Sequence, residues 1–448
     1  MTRIIINKGM VVIIGILLLN FLSEIAHGIL TATFGTDQYA VFSVGELVKG
    51  PILAFLVAHA VWHIHYIRNR LALAALFGLV FMVFLQALLF SYIPQEVLGT
   101  LTLGIRWLYL FLMANFISIY MTKHRLAPVS VLSAIKWMIV IFYCIPIFLA
   151  AAGIMGYSRG DRQGYFGLVM NQNAVAIVFV AMLPFYLDCR RLLDYFLLAC
   201  LVTAGVLLAS SLVYMGFAIA LSVFLILKTF KMLRTMRIRR IAVAVWASLI
   251  AIVLILPFTS VLNLLIGIYE KLEIRINFLM SNFGGSFIDA VSGFRTYNIY
   301  RYLAWAQEPN NLLQVLIGGG ARNYQILYSE VDWVDLMALF GVIGTVVLYG
   351  MLAFLLLLVY RTERRPFRIE TFAMLLFTIG GSLTAGHALN NPAATIIIGC
   401  VLGIYFGPYL RRNATQHLDR SEEVSKHLAD LATEPRYNRQ TFSALDTA

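Results

Sequence analysis

Apolar residues in this chain fall into solid blocks separated by short polar gaps, without the alternation of a half-buried strand. Blocks long enough to cross a bilayer, which takes about 20 residues, recur throughout. They run near 9–26, 41–62, 71–92, 101–121, 131–156, 173–187, 195–210, 212–227, 242–266, 333–360, 371–389 and 393–410. The pattern predicts an all-α, polytopic membrane protein of about twelve transmembrane helices. A β-barrel is excluded because the blocks are continuously apolar. The first block follows Arg3 and Lys8 and lacks a small-x-small cleavage site, so it reads as an uncleaved helix and not as a signal peptide. The blocks on either side of Ser210 and Ser211 are close enough together to form one re-entrant element instead of two spans.

The gaps set the topology. Arg68 and Arg70, Lys123 and Arg125, Arg190 and Arg191, the cluster from Lys228 to Arg240, Arg361 to Arg368, and Arg411 with Arg412 all fall on one side if every block crosses once. Positive charge concentrates on the cytoplasmic side, so both termini are expected there. One gap differs from the rest. Residues 267–332 form an extended hydrophilic segment, predicted to lie outside as an extracytoplasmic loop with short amphipathic helices. Long connections in compact chains are commonly functional, and this one reads as the working surface. The chain divides into a transmembrane domain over 1–412, including the 267–332 loop, and a polar cytoplasmic tail over 413–448 that reads as partly disordered.

Composition agrees with this picture. Of 448 residues, 61% are hydrophobic and 12% charged, too much apolar surface for a soluble core. The net charge of +12 is largely accounted for by the loop clusters, so it does not argue for nucleic acid. Cys144, Cys189, Cys200 and Cys400 form no C-x-x-C pair and read as small buried hydrophobes. No acid-rich cage suggests a metal, no cofactor motif is present, and no internal repeat stands out.

The informative charges are those that the positive-inside bias should have removed. On the outer side stand Arg159 and Arg162, then Arg275, Arg295, Arg301 and Arg322, with Arg106 and Lys49 near the outer ends of blocks. The planar, permanently charged guanidinium suits phosphate, so the set points to an anionic, lipid-linked ligand; pairing with acids or headgroups is the structural alternative. Residues 293–307 read as an amphipathic helix, capped by Ser292 and stopped by Pro309, with Tyr297 among its aromatics. Such a helix suits the membrane interface or a sugar. Gly318 to Gly320 allow a tight turn or a close backbone approach just before Arg322. Glu330 and Asp332 stand at the mouth of the next block, either as helix caps or as a base beside bound phosphate. His387 is a further outer-side candidate, either as a base or as a structural histidine at a helix end.

Three segments resemble the O-antigen polymerase and ligase superfamily of bacterial surface-polysaccharide assembly. The stretch from Gly164 to Ala174, containing Asn171 and Asn173 and preceded by Arg159 and Arg162, resembles the family's Gly-to-Asn segment. Arg295 to Trp305, followed by Gly318 to Gly320, resembles its Arg…Trp…Gly-x-Gly run, and Phe340 to Gly344 its following glycine-rich helix. Where ligases of the family carry a His-Asn pair, this chain has Glu330-Val331-Asp332, which is closer to the Wzy-type capsule, O-antigen and exopolysaccharide polymerases.

The resemblance implies transfer of a glycan from undecaprenyl pyrophosphate to a lipid-linked repeat unit, without metal, at the periplasmic face of the bacterial inner membrane. Glu330, Asp332 and His387 would be the catalytic candidates. Arg159, Arg162, Arg295, Arg301, Arg322, Asn171, Asn173 and Tyr297 would hold the pyrophosphate and sugar. The implied partners are the lipid-linked glycan and membrane lipid, with a chain-length regulator and a flippase as further possibilities. Two alternatives stay open: a ligase passing glycan to lipid A core or protein, and a lipid-linked glycan transporter.

Overall fold

The computed structural model describes residues 8–34, 44–154, 157–158, 165–168, 172–187, 191–208, 210, 212–214, 216–219, 295–329, 331–362, 367–384 and 388–407. The blocks near 212–227 (in large part) and 242–266, the loop up to 294, the Lys228–Arg240 cluster and the 413–448 tail lie outside them.

The architecture is helical. In chain order the helices are α1 (Lys8–Phe34), α2 (Val44–Trp62), α3 (Ile67–Phe90), α4 (Pro94–Arg106), α5 (Tyr109–His124), α6 (Pro128–Ile139), α7 (Ile145–Ala151), α8 (Gln172–Tyr186) and α9 (Leu192–Leu208). After the undescribed stretch come α10 (Arg295–Ala306), α11 (Leu312–Ile317), α12 (Gly320–Leu327), α13 (Asp332–Arg361), α14 (Arg368–Thr384) and α15 (Pro392–Gly407). Tyr157–Ser158 and Tyr165–Gly167 pair as a small antiparallel ribbon. Among the described residues, four helical stretches are long and apolar enough to cross a membrane: Gly9–Ile29, Asn69–Phe90, Pro128–Ala151 and Asp332–Arg361. A bent pair, Pro94–Arg106 with Tyr109–His124, would make a fifth span. Shorter apolar helices cover Val48–Trp62, Gln172–Tyr186, Leu192–Leu208 and Pro392–Gly407. These helices are compatible with a membrane protein.

Local chemistry explains several boundaries. Pro94 and Pro128 stand at the first turns of α4 and α6, where a missing N–H costs nothing. Glu96 reaches back to the Ile93 N–H at 3.2 Å and satisfies one orphan donor at the start of α4. Ser91 and Arg125 end α3 and α5 in left-handed conformations. The 131–156 block is a helix that passes through a π turn, Val140–Cys144, before continuing as α7.

One block differs from its expected form. Residues 101–121 read as a single span, but the chain bends by 47° between α4 and α5. The bend has no proline or glycine at its centre. The Trp107 and Leu108 amides bond three residues back, to Gly104 and Ile105 at 3.2 and 2.9 Å, and this tightened turn redirects the axis.

Every residue of α15 is buried, which makes it the most enclosed of the described helices. Gly399, Gly403 and Gly407 recur at every fourth position and face α5, where a Cβ would meet Leu110 O, Ile117 Cβ and Met121 Cβ. Small residues at that spacing let two backbones approach closely. The Thr122 hydroxyl donates to Gly407 O at 2.7 Å across the same seam. A second, smaller core holds the amphipathic element. Tyr302 of α10 is buried with Leu327, Val331, Val334 and Ala338, against the ends of α12 and α13.

Candidate functional site

The site is built around the glycine turn that joins α11 to α12. Gly318 and Gly320 have φ of +82° and +61°, values that favour residues without a Cβ. Space makes the same demand, because a Cβ on Gly318 would lie 2.2 Å from Leu339 O. On the facing helix, Gly341 has φ +64° and breaks the regular course of α13. The end of α11 packs into that break. Gly319 N–H donates to Ala338 O at 2.9 Å. Gln86 of α3 donates to both Ile317 O and Leu339 O, at 2.6 and 2.7 Å. Two glycine-rich segments, 318–320 and 340–344, therefore meet in one joint.

From this joint α12 presents Arg322 to an open cleft of about 250 Å³, lined also by Phe90, Tyr92, Gln314, Asn323 and Ile326. The start of α12 is fixed from below: Ala321 N–H donates to the Thr100 hydroxyl at 2.8 Å, and that hydroxyl donates to Glu96 O at 2.7 Å. Asn323 donates to the Gln314 side-chain oxygen at 2.8 Å, tying α12 to α11. Burial, and then Glu96, push the Tyr92 phenol well above its ordinary value, while Arg322 pulls the other way. Tyr92 therefore stays a neutral phenol, its ring lining the cleft and its hydroxyl buried, with the exposed Arg322 beside it.

An acid cluster lies behind α12. The Asp332 carboxylate is fully buried and accepts the Leu389 N–H at 2.8 Å. Asp335 accepts the Ser329 N–H and hydroxyl, both at 2.9 Å. The Asn390 amide donates to the Tyr324 hydroxyl at 3.1 Å. Burial, reinforced by Asp335, holds the Tyr324 phenol far above its usual value. The Leu389 and Asn390 bonds fasten the turn 388–391 onto the start of α13 and onto α12.

The predicted site residues separate accordingly. Arg322 faces the cleft. Asp332 is turned inward and holds a backbone amide. Arg301 is exposed on α10 and donates to Ile326 O, joining α10 to α12. Arg295 is partly buried at the first turn of α10, and Tyr297 is exposed on the same helix. Asn173 sits half-buried at the start of α8, which packs on α9 and α14. Glu330, His387, Arg159, Arg162 and Asn171 lie outside the described residues, as does the expected cap Ser292. The segment just after His387 is the one bound to Asp332 and Tyr324.

Sequence reasoning missed Gln86, Thr100, Tyr92, Tyr324 and Asn390. Gln86 did carry a signal, as the one polar side chain in the apolar run that follows Arg70 in α3. A further buried polar group lies among the helices. Lys49 pairs with Glu24, both nearly enclosed, and the Tyr109 hydroxyl donates to Lys49 O at 2.7 Å. Arg106 interacts electrostatically with Tyr324, Tyr109, Glu24 and Tyr328, connecting this pair to the back of α12.

No protein-family model, curated protein or solved structure matches the chain.

Proposed function

We propose that the chain is a membrane glycosyltransferase that polymerises lipid-linked repeat units, with the Arg322 cleft as its pyrophosphate grip. The observation that carries this reading is the cleft itself. It joins a guanidinium and aromatic walls on a backbone turn held by a buried glycine joint. A guanidinium matches the oxygens of a phosphate, and aromatic walls match a sugar or an isoprenoid. The resemblance of the 295–305, 318–320 and 340–344 segments supplies the substrate class.

In this reading the loop around α10 to α12 faces the outside of a bacterial inner membrane, within a bundle of about twelve spans. A hydroxyl of the acceptor sugar attacks the anomeric carbon of the donor glycan. The bond from that carbon to the pyrophosphate oxygen breaks, and undecaprenyl pyrophosphate leaves with the bonding pair. Arg322 offsets the charge that gathers on the leaving oxygens. The hydroxyl proton passes to a base, for which Glu330 and His387 are the candidates. Asp332 serves as a positioning residue, because its carboxylate already holds Leu389 N–H and orders the turn that follows His387.

The direct test of the grip is Arg322→Ala in purified protein reconstituted in lipid with an undecaprenyl-pyrophosphate-linked repeat unit. Loss of a charge-assisted contact of about 3 kcal/mol lowers the rate roughly a hundredfold. Arg322→Lys recovers part of it, since an ammonium lacks the planar fork. Full activity of Arg322→Ala would remove the cleft from the reaction.

One observation favours a second reading, transport of a lipid-linked anion. Glu24, Lys49 and Arg106 place ionisable groups between helices, and charges inside a membrane bundle mark transport paths as well as active sites. A transporter would move labelled lipid-linked glycan between leaflets of sealed vesicles and leave its length unchanged.

A further inference from the structure

α11 is a short helix with an unusual environment. Residues 309–321, between Glu308 and Arg322, carry no ionisable side chain. Within that stretch Leu312, Leu313 and Leu316 are 64%, 46% and 44% exposed. Their spacing of one and four places them on one side of the helix. In a loop surrounded by water, three exposed leucines on six residues would have no favourable surroundings.

The other side of α11 shows where the helix lies. Leu316 O is seated at the break in α13, 2.3 Å from where a Cβ of Gly341 would stand. α13 is the longest apolar helix described, and Ile343, Val346 and Val347, just beyond that break, are also exposed. The leucine face of α11 therefore adjoins the outward apolar face of a membrane-crossing helix. Depth can be read from α3. Gln86 binds Ile317 O, and it lies four residues before the last residue of the apolar stretch Asn69–Phe90, or about 6 Å of helix rise. Non-helical backbone at such depth is tolerated only where its polar groups are satisfied by protein. Gln86 and the Gly319–Ala338 bond satisfy them here.

We infer that α11 is a re-entrant element whose Leu312, Leu313 and Leu316 face lies against lipid acyl chains, carrying the Gly318–Gly320 turn below the membrane surface. The partner is the bilayer itself, indicated by continuity with the exposed face of α13. The inference rests on the membrane spans and holds whichever chemistry the cleft performs. Its consequence is that the Arg322 cleft opens near headgroup level, where a lipid-borne group can reach it sideways without leaving the membrane.

The test places a nitroxide at single cysteines, Leu313→Cys and Leu316→Cys, in a chain whose native cysteines are replaced, reconstituted in phosphatidylcholine–phosphatidylglycerol vesicles. Phe84→Cys on the outer face of α3 is the lipid reference and Glu308→Cys the water reference. Collision with oxygen and with a water-soluble nickel chelate is measured at each site. Labels at 313 and 316 are expected to match position 84, rich in oxygen contact and poor in nickel contact. Nickel contact equal to that at 308 would overturn the inference by showing a water-exposed loop. Low contact with both reagents would overturn it too, by showing that protein covers the face. The unmodified chain provides a second measurement. An acyl-chain diazirine photolabel is expected to mark residues 312–316, and its absence there with labelling of α3 intact contradicts the proposal.

Discussion

Gly318 and Gly341 face each other across the joint between α11 and α13, so closely that a Cβ on Gly341 would lie 2.5 Å from the Gly318 amide nitrogen. Neither position tolerates a side chain, since both have positive φ and both meet backbone. Gly341→Ala combines left-handed strain of about 1–2 kcal/mol with overpacking of about 1–3 kcal/mol. The expected outcome is a loss of roughly 2–5 kcal/mol in unfolding in mixed micelles. Gly350, with open space around its Cβ position, is the control. Gly350→Ala should be neutral or slightly stabilising, because alanine favours a helix.

The joint shows what the sequence made legible and what it did not. Gly318 to Gly320 read as a tight turn from composition alone, and the helices around 9–29, 69–90, 128–151 and 332–361 follow from apolar blocks. The partner of the turn did not read, because Gln86 and Ile317 are 231 positions apart and no local pattern connects them. The bend after Arg106 was hidden for a different reason. Both halves are apolar and the break holds neither glycine nor proline, so only the three-residue hydrogen bonds reveal it. Asp332 illustrates a third limit. Its position in the chain suits either a base or a structural anchor, and only the bond to Leu389, 57 positions away, shows which group it holds.

Glu24 and Lys49 form a nearly enclosed ion pair between α1 and α2. Removing one partner leaves the other charge buried, so Lys49→Met should cost about 3–5 kcal/mol. The double variant Glu24→Leu with Lys49→Met should be less damaging than Lys49→Met alone. A double-mutant cycle in micelle unfolding measures this coupling. Additive losses would show that the two charges do not depend on each other.

Histidines cluster where α2 leads into α3. The ring of His63 lies 4.6 Å from that of His59 and 5.6 Å from that of His65. Burial, then Lys123, then His65 lower the His63 value below its ordinary 6.5. A histidine whose value is lower in the fold is protonated first in the unfolded chain, so its contribution makes stability fall as pH drops below about 6.5 and has no effect well above it. His63→Gln should lessen that acid loss between about pH 7 and 5 without altering stability at pH 8. Thermal unfolding across the range checks the sign. A steeper acid loss in the variant would mean that His63 is protonated in the native state.

The most direct measurement supplies one substrate and reads length. Purified protein in lipid vesicles receives only an undecaprenyl-pyrophosphate-linked repeat unit, with a chelator present, and the products are resolved by size. A polymerase yields a ladder of longer lipid-linked glycans from that single compound, releasing one undecaprenyl pyrophosphate for each bond formed. A ladder that appears only after a different acceptor is added would identify a ligase. No change in length under either condition, with labelled substrate crossing between leaflets, would contradict the enzyme reading altogether.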